Sequence, residues 1–571
     1  MITKTPLNAD RHALLRGVGT VAIAAFAMTL QACGNGSHEV HPAGQIAEVA
    51  KTAAEMCAVL PNLTVPATEI GLPTTGATIT SAELVLATAK DNTNGEYCKV
   101  LGSIRPVDKS APDIKFEADL PTHWNGKLVH FGGGGADGVI PNTTSFAISG
   151  FSFIEAPSVK TPLARGFITY GSDSGHQGNM GDGTFGANDE ALANYAGAHV
   201  KKTHDVVAYL TKRHFGSPIK HSYYIGGSGG GRQGLLAAQR YPADHDGVIS
   251  TFPASNLTGL AFQFGKIAQA FLAPGGFINA EKSAMVSMAM FKQCDADDGI
   301  ADGIISKPQA CTFEIASMRC EGGVDAGNTC LSDAQLKTYE AIASPLKTNF
   351  SFANGIQQVP GFTLFGPDFS PSFPAPLGAS QAAAQKKPFV FADSSFFYAF
   401  YNDMVQYSIA RDANLNTLSF NPADPGPLTA RVQAVSALQD ATTTDLAAFQ
   451  SRGGKLILQH GTSDNFIPYQ MTIDYYKRLE ARYGSGALKQ FVKFFLVPGA
   501  AHGFGGQFEA EYDGLTALDN WVVNGTAPGN LVATDVSPKS AGRTRPVCEY
   551  PQWPKYISGD VNSASSFTCV N

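Results

Sequence analysis

The sequence has no surplus of basic residues. Lysines and arginines number 41 against 48 acidic residues, a formal charge of −7, and the isoelectric point is near 6.0. A nucleic-acid partner calls for a basic face, so that function class is set aside. No Cys-x-x-Cys pair and no cysteine–histidine cluster with ligand spacing occurs, which removes a structural zinc site. Internal repeats are absent. Glycine and proline are plentiful, at 60 and 33 residues, yet they never gather into a repetitive tract. Long apolar runs are missing too. Val18–Leu30 is broken by Gly19, Thr20 and Thr29 and is too short for a comfortable membrane-spanning helix.

That run reads as an export signal. Lys4, Arg11 and Arg16 are the basic region before it, and Leu30-Gln31-Ala32-Cys33 follows. This is the form of a bacterial lipoprotein signal, in which Cys33 is lipidated and becomes the new N-terminus. An ordinary cleaved signal with an incidental cysteine is the competing reading. Residues 1–33 are assigned to the signal and 34–50 to a polar tether, with the membrane met only through the lipid anchor. The expected location is the bacterial outer membrane or cell surface, otherwise the periplasm or medium. Setting Cys33 aside leaves eight cysteines in local pairs: Cys57/Cys98, Cys294/Cys311, Cys320/Cys330 and Cys548/Cys569. An oxidising compartment would make them disulfides, although eight cysteines allow 105 connectivities.

From about residue 110 short apolar runs alternate with longer amphipathic ones. Strands are predicted at 127–131, 167–170, 222–225, 248–251, 455–459 and 491–497. Helices are predicted at 190–215, 231–240, 469–483 and 512–524. Such alternation implies an α/β fold with a mostly parallel sheet covered on both faces. It stops after 258 and resumes near 450. The expected organisation is a core in two parts, 51–258 and 446–571, with an inserted lid at 259–445.

Gly226-Gly227-Ser228-Gly229-Gly230 lies between a predicted strand and a predicted helix. This is G-x-S-x-G in the strand–turn–helix setting it needs, with small residues flanking an exposed serine and a helix N-terminus behind it. The competing phosphate loop wants Gly-Lys-Ser/Thr, but Arg232 and Gln233 follow the glycines. Such a serine needs an acid and then a histidine, in that order. Asp464 and His502 fall just past the ends of the predicted strands at 455–459 and 491–497. His460 is a rival histidine, but it precedes the acid; a simple turn former is the competing reading of Asp464, and the paired strand-end placement outweighs it. Gly132 and Gly133, after the strand at 127–131, and the amide of Gly229 are the candidate oxyanion donors. Gly133-x-Gly135-x-x-Gly138 formally matches a dinucleotide fingerprint, but 139–144 is a poor helix start.

With these residues in place, the chain resembles the tannase and feruloyl esterase family of α/β-hydrolases, from about Cys57 to the C-terminus. The blocks that carry the resemblance are His123–Gly126 with Gly132–Gly135, Asp173–His176, Gly226–Gly234 with Tyr241-Pro242 and Asp246-Gly247, His460–Pro468, and Val497–Gly506. The resemblance implies a serine esterase with Ser228, Asp464 and His502 as triad. It also implies that the acid-rich loop is a structural calcium site, with side-chain ligands Asp295, Asp298 and Asp302 and carbonyl ligands Ile300 and Ile304. Oxygen donors of this kind suit calcium, although the loop by itself reads as a solvated acidic turn. The four cysteine pairs resemble the family's disulfides. One departure stands out. Where the family commonly has a cysteine before the serine and another after the histidine, this chain has Gly227 and Gly503, which predicts a more mobile His502 loop.

The expected substrate is a small-molecule ester of an aromatic, phenolic acid such as a feruloyl or galloyl ester. The aromatic-rich stretch 389–407 would form the acyl pocket, unless it is plain lid core, and Arg411 is the nearest cation to meet a substrate carboxylate. The alternatives are an esterase for polyester fragments or other aliphatic or aryl esters, and a catalytically inactive, calcium-stabilised surface binding protein.

Overall fold

Ten strands make one sheet. In chain order they are β1 (Thr64–Val65), β2 (Ala77–Val85), β3 (Tyr97–Ile104), β4 (Ile114–Pro121), β5 (Lys127–Phe131), β6 (Ile168–Ser172), β7 (His221–Gly227), β8 (Gly247–Thr251), β9 (Lys455–Gly461) and β10 (Val492–Val497). Their spatial order is β1-β2-β3-β4-β6-β5-β7-β8-β9-β10. β1 to β4 and the β4–β6 pair are antiparallel; β6, β5, β7, β8, β9 and β10 run parallel. The computed structural model describes residues 51–571 apart from 146, 149–150, 153–158, 372–375 and 539, and only the backbone of 147–148 and 151–152. The predicted signal, Cys33 and the tether lie outside the described residues.

Successive side chains of a strand point to opposite faces, and both faces of the parallel strands are apolar. On one face Tyr223, Ile225, Ile249, Ile457 and Phe495 pack with Leu515, Leu518 and Trp521 of the helix Gly514–Asn524. On the other Tyr224, Val248, Leu456, Leu458 and Phe494 pack with Leu235 and Leu236 of Gly229–Arg240 and with Ile473, Tyr476 and Leu479 of Gln470–Tyr483. The antiparallel half covers its core with Val206, Val207 and Leu210 of His199–Phe215.

Each strand predicted beyond residue 110 is found, with ends shifted by up to two residues. The helix predicted at 190–215 is interrupted. Asp189–Ala193 and His199–Phe215 are separated by a wider turn in which Gly197 takes φ 126°, a conformation closed to residues with a Cβ.

Between β8 and β9 the chain builds a layer of helices, here α1 (Leu257–Phe271), α2 (Ala280–Cys294), α3 (Asp333–Ala343), α4 (Phe396–Asp403) and α5 (Thr429–Gln439). Their core is largely aromatic. Phe264 stacks on Phe397 with ring centroids 4.1 Å apart, and Phe262, Phe271, Tyr339, Tyr401 and Val435 are buried around them. Each fully buried ring of this kind contributes on the order of 2–3 kcal/mol. Phe466, Ile467 and Met471, which follow β9, belong to the same cluster. The lid is thus packed onto the loops at the ends of the parallel strands.

The disulfides are Cys57–Cys98, Cys294–Cys311, Cys320–Cys330 and Cys548–Cys569. These are the pairs that sequence proximity gave, and they call for an oxidising compartment. Among the described residues no helix is long and apolar enough to cross a membrane.

Candidate active site

Three of four consecutive parallel strands, β7, β9 and β10, deliver the three residues predicted to act together. Ser228 follows β7, Asp464 follows β9 and His502 follows β10. Ser228 sits at φ 60° and ψ −122° on the turn between β7 and the helix Gly229–Arg240, a conformation unusual for a non-glycine residue and typical of functional strain. The turn is possible because its neighbours lack side chains. A Cβ on Gly226 would lie 2.5 Å from the Gly230 carbonyl oxygen, and one on Gly230 would lie 2.5 Å from that of Gly133. The Ser228 N–H donates to the Thr251 carbonyl at 3.0 Å.

His502 Nδ1 lies 2.7 Å from Asp464 Oδ2. Asp464 is buried, and its Oδ1 accepts from the N–H groups of Phe466 and Ile467, both at 2.8 Å. His460 lies on the other side, with Nε2 at 3.2 Å from Asp464 Oδ2. That same nitrogen is 3.1 Å from the Ile467 carbonyl, and Nδ1 is 2.8 Å from the Thr472 hydroxyl. A carbonyl only accepts, so the geometry assigns the proton to His460 Nε2. Burial resists ionisation of Asp464, but the nearby His502 and the hydrogen bonds from His460 and His502 outweigh it. They hold this carboxyl well below the usual carboxylate range. A permanent anion is thereby kept on His502 Nδ1, which directs the lone pair to Nε2.

Ser228 and His502 face one cavity with Gly133, Gly134, Gly135, Gly227 and Gly229. The rest of its wall is apolar, and Phe264, Phe391, Phe396, Phe400 and Phe466 supply rings. It encloses about 650 Å³ of atom-free space including its mouth. Part of the predicted aromatic stretch therefore lines the cavity (Phe391, Phe396, Phe400), while Phe397 and Tyr401 are lid core.

Of the predicted oxyanion donors, Gly133 and Gly229 reach the cavity. Gly132 does not line it, and its N–H donates to the Ile225 carbonyl at 2.9 Å. Behind the glycine loop lies a network that sequence reasoning missed. Gly133 N–H donates to Gln233 Oε1 at 3.3 Å, the Tyr224 hydroxyl donates to the same oxygen at 2.9 Å, and Gln233 Nε2 donates to Asp137 Oδ2 at 2.5 Å. Burial pushes the Asp137 carboxyl up to about 7, against the pull of the Arg232 charge. The glycine run follows β5 without opening a helix, so the formal dinucleotide fingerprint lacks its helix.

Arg411 lies elsewhere. It does not line the cavity, and its guanidinium is bonded to the Ala187 carbonyl and the Asp189 carboxylate. Proximity to the aromatic stretch in sequence did not carry into space.

The acid-rich loop follows α2 and is closed by Cys294–Cys311. Asp295 accepts from the Gly303 N–H at 2.9 Å, Asp298 Oδ1 from Ile300 N–H at 3.2 Å, and Asp302 Oδ1 from Ile304 N–H at 3.0 Å. Asp302 Oδ2 pairs with Arg545 at 2.5 Å. Among the described residues no three acidic, histidine or cysteine side chains converge as a ready metal cluster. The residues nonetheless fit an oxygen-seeking cation. Asp298 Oδ2 is buried outside hydrogen-bond geometry with any described donor, and burial, with the neighbouring carboxylates, raises Asp298 and Asp295 above their ordinary values.

Comparison with known proteins agrees with this geometry. The sequence model described as "Tannase and feruloyl esterase" matches residues 98–570. An uncharacterized esterase of Agrobacterium fabrum is 38% identical, over 91% of this chain and 94% of its own length. A mono(2-hydroxyethyl) terephthalate hydrolase of Piscinibacter sakaiensis is 30% identical, over 85% of this chain and 86% of its own. The crystal structure of feruloyl esterase B from Aspergillus oryzae superimposes with a TM-score of 0.71 at 24% identity, covering 91% of this chain and all of that one.

Proposed function

Because the chain belongs to the tannase and feruloyl esterase family, and so is a carboxylic ester hydrolase, we propose that it cleaves esters of aromatic, phenolic acids with Ser228, His502 and Asp464. The observation that carries this reading is the pairing of a buried Asp464–His502 hydrogen bond with a strained serine in one ring-lined cavity. The Ser228 hydroxyl attacks the ester carbonyl carbon while His502 Nε2 takes its proton, forming a tetrahedral oxyanion. Amides of Gly229 and of Gly134 and Gly135 meet that charge, helped by the helix N-terminus at Gly229, whereas the predicted Gly133 N–H is given to Gln233. His502 returns the proton to the leaving alkoxide, and the acyl-enzyme remains. Water, deprotonated by the same Nε2, then releases the acid and restores Ser228. Asp464 stays ionised throughout and holds the imidazole in one tautomer.

The rings of Phe396, Phe400 and Phe466 favour a flat acyl group. The same rings suit a terephthaloyl half-ester, which keeps polyester fragments as a second reading. Three further assignments belong to the proposal. A calcium ion on Asp295, Asp298, Asp302 and the carbonyls of Ile300 and Ile304 would neutralise the carboxylates of a disulfide-closed loop. Cys33 would carry a lipid anchor. The protein would then work at the bacterial surface.

The test is release of free acid from methyl ferulate, methyl gallate and a terephthalate half-ester, beside Ser228→Ala. Serine-dependent release of ferulate or gallate supports the phenolic reading. Release of terephthalate alone would replace it with the second, and equal turnover by Ser228→Ala would refute the site.

A further inference from the structure

One aromatic side chain outside the triad stands where nucleophile and base meet. Phe252 is the first residue after β8 and precedes Pro253. The segment it belongs to brackets the nucleophile. Ser228 N–H donates to the Thr251 carbonyl at 3.0 Å, and Ala254 N–H donates to the Ser228 carbonyl at 3.2 Å. Between these two bonds Phe252 takes φ 33°, a value in the left-handed region that a bulky residue adopts only when its surroundings impose it. The Phe252 N–H is also held, donating to the Gln459 carbonyl at 2.6 Å.

What this strained backbone achieves is the placement of a ring. The Phe252 centroid lies 4.5 Å from that of His502, at 46° between planes, and 6.2 Å from that of His460. Phe466 approaches the same imidazole at 5.2 Å. Both His502 contacts fall in the range of favourable tilted ring pairs. The two rings differ in one respect. Phe466 lines the cavity that holds Ser228, whereas Phe252 lines a smaller one on the other side, with Gly503 and Ala500.

We infer that Phe252 is a positioning residue for the base. Its ring, fixed to the backbone of Ser228 by the bonds on either side, sets the His502 imidazole against the nucleophile. It does so in a chain whose residues 227 and 503 are both glycine and offer no covalent link. The ring thus restrains a loop that the glycine pair would otherwise leave free. The inference rests on the proposed roles of Ser228 and His502. It adds that the distance between them is held by packing through Phe252.

The experiment compares Phe252→Leu, Phe252→Tyr and Phe466→Leu with Ser228→Ala and His502→Ala, using whichever ester the native enzyme turns over. A lost orientation of the base costs on the order of 10- to 100-fold in rate. Phe252→Leu is expected to lower kcat by about that factor and leave KM within about twofold. Phe252→Tyr keeps the ring and should recover most of kcat. Phe466→Leu, which alters the wall of the cavity that holds Ser228, should change KM as well. The downfield proton resonance of His502 Nδ1 should broaden in Phe252→Leu and persist in Phe252→Tyr. If Leu at 252 prevents folding, Phe252→Met, which keeps the volume without the ring, is read by the same criteria. The inference is overturned if kcat survives loss of the ring, if Leu and Tyr lose it equally, or if KM rises in its place. Full activity in Ser228→Ala or His502→Ala would overturn the site itself, a separate outcome.

Discussion

Arg232, four residues past the nucleophile, donates from Nη1 to the main-chain carbonyl of Gln439 at 2.9 Å. The helix behind Ser228 is thereby bonded to the end of α5 in the lid. The guanidinium is wholly buried, lies 4.8 Å over the Tyr195 ring and donates to the Tyr195 carbonyl at 3.1 Å. Its charge also lowers the carboxyls of Asp137 and Asp440, which burial raises. Arg232→Met leaves those carbonyls without their donor and two buried acids without their cation. It should cost about 3–5 kcal/mol. Equilibrium denaturation measures this, and a loss below about 1 kcal/mol would mean the buried charge is not needed.

Strain at Ser228 gives a prediction in which stability and activity part. Ser228→Gly removes the Cβ from a backbone at φ 60° and ψ −122° and should stabilise the fold by about 1–3 kcal/mol. The same change should abolish turnover, by a factor on the order of 10⁶. Asp464→Asn should lose about 10⁴ in kcat, because it no longer fixes the His502 tautomer. Melting temperature and ester hydrolysis on the same samples check all three statements.

Asp137 makes the fold sensitive to pH. Its carboxyl goes from an ordinary value of 3.8 to about 7 on burial. A raised acid binds its proton more readily when folded, so its contribution is complete below pH 4 and is lost as pH rises through about 7. Asp137→Asn lacks this titration. Its stability relative to the native chain should therefore climb between pH 4 and 7, by on the order of a few kcal/mol in total. A flat difference curve would mean that Asp137 is not raised.

If calcium occupies the loop after α2, its removal should be felt as lost stability. A ligand at about 100 times its Kd adds about 2.7 kcal/mol. Chelation should lower the melting temperature, calcium should restore it more fully than magnesium, and Asp298→Asn should abolish the response. An unchanged melting temperature on chelation would remove calcium from the proposal.

How far the sequence could be read depended on the range of the determinant. The strands at 222–225, 455–459 and 491–497 are short apolar runs closed by small residues, and that local pattern was enough to place Ser228, Asp464 and His502. The antiparallel strands β2 and β3 have weaker runs, such as Ala77–Val85, whose burial comes from pairing with each other and with β4. They were not foreseen. Gly197 looked compatible with a helix until its φ was known. Arg411 was chosen as the nearest cation in sequence, but the lid turns it toward Asp189. Phe252 carried no local signal, because its partner lies 250 positions on and meets it only when β8, β9 and β10 line up.

β7, β8, β9 and β10 are consecutive neighbours in the sheet, and the turns after them carry Ser228, Phe252, Asp464 and His502. The lid leaves after β8 and returns before β9, two strands that touch along their whole register. The insertion is therefore a detour between points already fixed by the core. Its length, sequence and pocket shape can drift through evolution while the reacting groups keep their spacing, so new ester specificities can arise on this scaffold with the machinery of cleavage left intact.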